Sequence, residues 1–347
     1  MPTRETLLDL AYAIQRVHVR LRDAILERCR TSSSDELARV ASVDGLGDVT
    51  FEIDIAAESL LAAALQDEVG LLGLSLAAIF EGQRHGPLVV PANTVSASTM
   101  AADAEFLSIW DPLDGSRSLA YQTSSAWILT AIAPNIPVAR LSDTLIAVQT
   151  EVPLLNQRAG AMLLAVKGSP LVAEMEDVDS GVRNVFSLRA STATTIEGGF
   201  TGNECYFEGP GELLAGLEED IVHRVLGVGP RGAARVFKHT QLTSAGTFYS
   251  LLAGKLRWAH DFRPLVKAAM QQRGRAMSLC CHPYDMCTAL LLAEALGVVL
   301  SDPRGQAFDA PLDLETDVAW VAYANPAIRD QVAPHVSAAI AAMNEVT

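Results

Sequence analysis

The sequence predicts an α/β protein in two domains, an α+β first half followed by an α/β second half. Three observations carry that prediction. The chain, at 347 residues, exceeds an ordinary single domain, and half of it is hydrophobic, which is enough for two cores. Amphipathic stretches of helical period alternate with short apolar runs of strand length. Two of those runs lead into an acid, Glu81 and Asp111, and acids at strand ends line the active sites of many layered α/β proteins.

In chain order, residues 4–30 place Leu7, Leu10, Ala11, Ile14, Val17, Leu21 and Ile25 on one stripe of a long helix. The piece 44–48, with glycine and aspartate, is a loop by composition. A second helix starts near Ile53, with Ala56, Ala57, Leu60, Leu61 and Ala64 on its apolar side. The runs 76–80 and 106–110 read as short buried strands, and 126–133, 144–150 and 161–166 as an antiparallel meander. Residues 174–180 are acidic and aperiodic, so the boundary is placed after them, giving domains 1–188 and 189–347. In the second domain 211–226, 244–253 and 285–296 read as helices, 318–323 as a strand and 326–344 as a final helix.

The bulk numbers exclude several functions. There are 26 basic against 41 acidic side chains, a formal charge of −15, which opposes binding to a nucleic acid polymer, where affinity rests on phosphate neutralisation. A small anion is still admissible where bound metal ions supply local positive charge. The five cysteines are few, odd in number and unevenly spaced, which fits reduced thiols in the cytoplasm. Cys280-Cys281-His282 lacks the second Cys or His pair that a zinc site needs. No secretory leader and no membrane span is read from the sequence.

The most specific feature is Trp110-Asp111-Pro112-Leu113-Asp114-Gly115-Ser116. Its two carboxylates, three positions apart around a proline, can be aimed at one hard cation while the following N–H groups face an anion. Asp54, Glu81 and Asp285 also sit beside apolar stretches, so all five acids can project from the edges of a core. Such a cluster raises its own pKa values, and Mg²⁺ is the natural compensation.

These acids, in this order, resemble the inositol monophosphatase family, whose superfamily includes fructose-1,6-bisphosphatase and the bisphosphate nucleotidases. The resemblance covers roughly residues 5 to 325. The Asp-Pro-Leu-Asp-Gly-Ser turn is its core, with 48–58 similar to the family's first acidic motif and 284–299 similar to its last. The resemblance implies a sugar-phosphatase-type five-layer αβαβα sandwich and Mg²⁺-dependent hydrolysis of a small phosphate monoester: an inositol phosphate, a sugar phosphate or a nucleotide 3′-phosphate. It further implies that Glu81, Asp111 and the Leu113 carbonyl hold one Mg²⁺, and that Asp111, Asp114 and Asp285 hold a second. Asp54 and Ser116, with Glu81, would ready the attacking water, and the amides of Gly115 and Ser116 would hold phosphate. A homodimer or homotetramer is implied as well.

The chain also departs from the family. Gly82 follows Glu81 where many members carry a second acid, which leaves a third metal open and motivates an alternative: a weakly catalytic relative that binds a phosphorylated metabolite as a sensor or assembly subunit. Ser116 stands for the usual threonine and Tyr284 for the commoner tryptophan. Arg117 reads equally as a ligand for a second anionic group and as a surface residue. Ser244 falls where the family has a substrate-side turn, and a helix cap explains it as well. Lys255, Arg257, Asp261 and Arg263 are further candidates for substrate selection. Residues 227–232 match G-x-G-x-x-G but follow a helix and contain a proline, so a plain loop is expected.

Overall fold

The computed structural model describes residues 2–43, 49–83, 85–91, 101–229, 233–275, 277 and 279–346. The expected loop 44–48, residues 230–232 of the glycine pattern and the side chain of Ala56 lie outside the described residues. The chain divides into two compact units. The first holds Met1–Ser187, His282–Leu292 and Ala310–Thr316, and the second Leu188–Cys281, Ala293–Asp309 and Asp317–Thr347.

In the first unit, α1 (Arg4–Thr31) begins at Thr3, whose hydroxyl accepts the Thr6 N–H at 3.1 Å. Its whole predicted stripe, Leu7 to Ile25, is buried. A short α2 (Ser34–Leu37) and the hairpin β1 (Val40–Val43) and β2 (Val49–Phe51) lead to α3 (Glu52–Val69). Helix α3 buries Ile53, Ala57, Leu61, Ala64 and Leu65, whereas Leu60, expected inside, is 42% exposed because it falls at the edge of that sector.

Both long helices pack on an eight-stranded sheet and share one core with it. Its strands are β3 (Leu76–Phe80), β4 (Leu88–Val90), β5 (Phe106–Asp114), β6 (Ala126–Pro134), β7 (Ile146–Val152), β8 (Ala159–Val166), β9 (Val172–Asp177) and β10 (Arg183–Val185). The order is β10-β9-β8-β7-β6-β5-β3-β4, antiparallel throughout except where β3 runs parallel to β5.

The acidic, aperiodic stretch 174–180 overlaps β9 (Val172–Asp177). Its Glu176 is buried, yet the Arg22 guanidinium reaches it at 2.7 Å and Arg183 at 2.6 Å, so charge pairing replaces apolar patterning. The Arg22 side chain is 1% exposed, and its guanidinium is held above the ordinary arginine range by the nearby carboxylates of Glu176 and Asp23, against the opposing effect of burial.

The second unit carries a five-stranded sheet, β11 (Phe200–Asn203), β12 (Phe237–Thr240), β13 (Trp258–Asp261), β14 (Val299–Ser301) and β15 (Trp320–Tyr323), ordered β12-β11-β13-β15-β14. Strands β11, β12 and β13 are mutually parallel. Its helices are α5 (Gly211–Leu226), α6 (Ser244–Leu252), α7 (Arg263–Gln272) and α9 (Pro326–Val346). Strand β15 alternates faces: Val321 and Tyr323 join the core of α5, α7 and α9, while Trp320 meets Phe248 of α6 edge-on at 6.4 Å.

The predicted helix 285–296 is interrupted. Tyr284–Met286 forms a tight turn and α8 (Ala289–Leu296) starts after it. Asp285 is the reason, since its carboxylate accepts the His282 N–H at 2.6 Å and its own N–H bonds the His282 carbonyl. That turn packs beside β5 and β6 and belongs to the first unit, not to the second half of the chain where the linear boundary puts Asp285. No helix among the described residues is long and apolar enough to cross a membrane.

Candidate metal centre

Strand parity poses the first problem. Side chains alternate along a strand, so residues three apart, such as Asp111 and Asp114, face opposite ways in a regular ladder. Here Asp111 pairs with Leu129 and Asp114 with Trp127, so β5 carries one residue more than β6 between the two acids. That bulge corrects the parity and turns both carboxylates to the same side. Pro112 sits inside it, where a missing N–H costs no ladder bond.

Parallel pairing brings the next acid. Phe80 of β3 lies opposite Trp110 of β5, so Glu81 and Asp111 leave neighbouring strands at the same level, and the Glu81 N–H closes the gap to the Trp110 carbonyl at 3.1 Å. The Tyr284–Met286 turn delivers Asp285 from far along the chain. Carboxylate oxygens of Asp111, Asp114 and Asp285 then lie within 4.8 Å of one another.

The electrostatics are severe. Asp111 is fully buried; its Oδ1 accepts the Leu113 N–H at 3.0 Å, but no N–H or O–H among the described residues satisfies Oδ2. Burial pushes the Asp111 carboxyl well above the usual range, and the charges of Glu81, Asp114 and Asp285 push further. The neighbouring Glu81 carboxyl pushes in the same direction by proximity as well. Cys287, also buried, has its thiol driven up by burial and then by Asp111 and Asp285. A buried oxygen without a donor, inside a ring of acids, asks for a proton or a cation. An all-oxygen donor set suits a hard divalent ion.

The surroundings hold this end of the sheet rigid. The Trp110 indole N–H donates to Ser108 at 2.8 Å. His18 of α1 packs 5.4 Å from the Trp110 ring and bridges Thr130 and Thr150 at 2.7 and 3.0 Å. Burial drops the His18 pKa to about 3, so it is neutral. Thr288, just past the Asp285 turn, donates to Gln149 of β7 at 2.9 Å and ties that turn to the sheet.

The remaining sequence candidates take varied positions. Asp54, half-buried in the first turn of α3, accepts the Phe51 N–H at 2.8 Å. Gly115, at φ +92°, opens the short helix α4 (Ser116–Ala120), with Ser116 as its first residue. Arg117 rests its guanidinium 5.1 Å over the Phe51 ring, a packed position and not a free surface one. Ser244 lies buried in the second unit, and the cap of its helix is Thr243, which accepts the Gly246 N–H at 3.0 Å.

The second-unit charges are engaged locally. Arg263 donates to both carboxylate oxygens of Asp261 and to the Tyr206 hydroxyl at 2.7 Å. Arg257 holds the Thr195 and Glu197 carbonyls, and Lys255 lies 5.4 Å over the Tyr249 ring. All five cysteines are free thiols. Among the described residues, the acid group of Asp111, Asp114 and Asp285 is the one with metal-holding geometry.

Fold and centre together define an α/β protein with a buried acid cluster built on a strand bulge. Comparison with solved structures finds the same fold elsewhere. Fructose-1,6-bisphosphatase from Leishmania major in its holo form superposes with a TM-score of 0.65 over 99% of this chain and 96% of that one, at 13% identity. The extragenic suppressor protein SuhB from Bartonella henselae gives 0.61 over 94% and 98%, at 14% identity. An IMPase from Thermotoga maritima gives 0.58 over 94% and 97%, at 16% identity. The chain has the fold of these proteins. No protein-family profile matches the sequence, and no curated protein matches it by sequence search.

Proposed function

We propose that this protein is a metal-dependent phosphatase that hydrolyses a small phosphate monoester, with Mg²⁺ as its ion. The observation that carries the reading is the trio Asp111, Asp114 and Asp285 within 4.8 Å, with the Asp111 Oδ2 buried and lacking a donor. The fold neighbours, fructose-1,6-bisphosphatase and IMPase by name, support the same class.

In this reading Glu81, Asp111 and the Leu113 carbonyl would hold one ion, and Asp111, Asp114 and Asp285 a second. Bound there, the ions would neutralise a phosphate dianion and lower the pKa of a coordinated water. The chain's own groups do the rest. Asp54 and the Ser116 hydroxyl, with Glu81 beside them, would orient the attacking water and help take its proton. The amides of Gly115 and Ser116 hold phosphate oxygens in line. Inositol phosphates, sugar phosphates and nucleotide 3′-phosphates are the substrate classes, and a cytoplasmic homodimer or homotetramer belongs to the same reading.

The test is phosphate release from a panel of those three classes, in Mg²⁺ and in EDTA. Turnover that needs Mg²⁺ and disappears in Asp114→Asn, with the circular dichroism of that variant unchanged, is the expected result. Wild-type rate in Asp114→Asn would remove Asp114 from the metal ligands. Binding without turnover on every compound would replace the phosphatase by the metabolite sensor.

A further inference from the structure

Gly82 has no side chain, but the place of one is filled. A Cβ built there would stand 2.3 Å from Oε1 of Glu58, 3.1 Å from its Cδ and 3.6 Å from its Oε2. The Glu58 carboxylate therefore lies against the Gly82 backbone, in the space a residue-82 side chain would occupy. Helix α3 delivers it: Glu58 follows Asp54 by four residues, so the two acids rise from one face of the helix.

Gly82 itself sits in a turn closed by the Gln83 N–H on the Phe80 carbonyl at 3.1 Å, with φ +77°, the conformation glycine adopts at least cost. That turn follows Phe80, which pairs with Trp110, so Glu81 leaves its strand level with Asp111. A carboxylate from a different element thus stands against the backbone one residue past Glu81.

We propose that Glu58 is a further acid of the metal centre, supplied from α3 into the space left by Gly82, and that it raises the centre's affinity for divalent cations on the Glu81 side. The inference rests on the metal-dependent reading above. It also gives position 82 a reason to be glycine beyond its backbone angle: any larger residue evicts the Glu58 carboxylate.

The experiment is calorimetric titration of metal-free protein with Mn²⁺, for wild type, Glu58→Gln, Gly82→Ala and the double variant. Melting in EDTA serves as the folding control. Glu58→Gln is expected to weaken Mn²⁺ binding about tenfold, the lower end of losses seen when groups supporting a metal's ligands are removed. Gly82→Ala is expected to weaken it in the same direction, because its new methyl group displaces the flexible carboxylate. The double variant should bind no more weakly than the weaker single one, since both changes empty the same place.

Unchanged affinity in Glu58→Gln overturns the proposal, and so do losses that multiply in the double variant. If Gly82→Ala fails to fold, the Glu58→Gln titration decides alone. Wild-type protein that takes up no Mn²⁺ at all would sink the metal-dependent reading and this proposal with it. Wild-type uptake with an indifferent Glu58→Gln sinks only the role of Glu58.

Discussion

Replacing Asp111 by asparagine changes one heavy atom at a buried, acid-crowded point, and its effect has an unusual sign. Asparagine keeps an oxygen to accept the Leu113 N–H and puts an NH₂ where Oδ2 has no donor. The acids around it turn from a liability into acceptors. At the 4.8 Å limit of the cluster, two carboxylate charges repel by about 3.5 kcal/mol at an effective dielectric constant of about 20. Three ionised acids would carry three such terms, comparable to the whole stability of a domain. The metal-free protein escapes by keeping a proton, which is the physical content of the raised Asp111 pKa.

In EDTA, therefore, Asp111→Asn is expected to match or exceed wild type in stability, although most buried substitutions destabilise. Magnesium reverses the order. At a hundred times its dissociation constant a ligand adds about 2.7 kcal/mol, roughly 5–10 °C in melting temperature for a unit of this size. Wild type should show that shift and Asp111→Asn should not.

The pH dependence follows from the direction of the Asp111 shift. Above the ordinary aspartate pKa of about 3.9 the unfolded chain has lost this proton while the folded one retains it. The folded state then binds more protons, so stability falls as pH rises toward the folded pKa, by at most about 1.4 kcal/mol per pH unit. Asp111→Asn lacks that slope. Differential scanning calorimetry from pH 5 to 8, in EDTA and in Mg²⁺, reads all three effects. A variant that keeps the full Mg²⁺ shift, or that melts well below wild type in EDTA, refutes the reasoning.

Two further tests probe the scaffold. His18 is buried neutral with its pKa near 3, so below about pH 6.5 the unfolded histidine takes a proton that the folded one refuses. Stability should fall as pH drops through the window from 6.5 toward 3, by up to roughly 4–5 kcal/mol in total, and His18→Gln should flatten that limb in urea midpoints. Arg22→Met leaves the buried Glu176 with Arg183 as its remaining partner and should cost about 1.5–3 kcal/mol by chemical denaturation. The double change Arg22→Met with Glu176→Leu should cost clearly less, and an equal loss would mean that packing, not charge, holds β9 in place.

The long helices were legible because burial there repeats at the helical period. The stripe of α1 and the bounds of α5 follow from the sequence, and α3 does so apart from Leu60 at the edge of its sector. The meander β6 to β8 was legible from a different signal, short continuous apolar runs. Strand β9 was not, because its buried Glu176 is balanced by Arg22, 154 residues away. Strands β11, β12 and β13 are four residues each and mix Thr, Lys, His and Asp with aromatics, so no periodicity marks them.

The candidate centre divides in the same way. Local chemistry in the chain marked 111–116 as an acid-bearing segment, but 111–114 continues β5 through a bulge and only Gly115 turns the chain into α4. Only the tertiary structure decided that Asp111 and Asp114 face one way, since that depends on a bulge counted against β6. It alone decided that Asp285 joins them from 171 positions away, and that Glu58 fills the room at Gly82. Propensity and capping act between near neighbours, whereas register and the meeting of charges are set by whichever distant segment packs alongside.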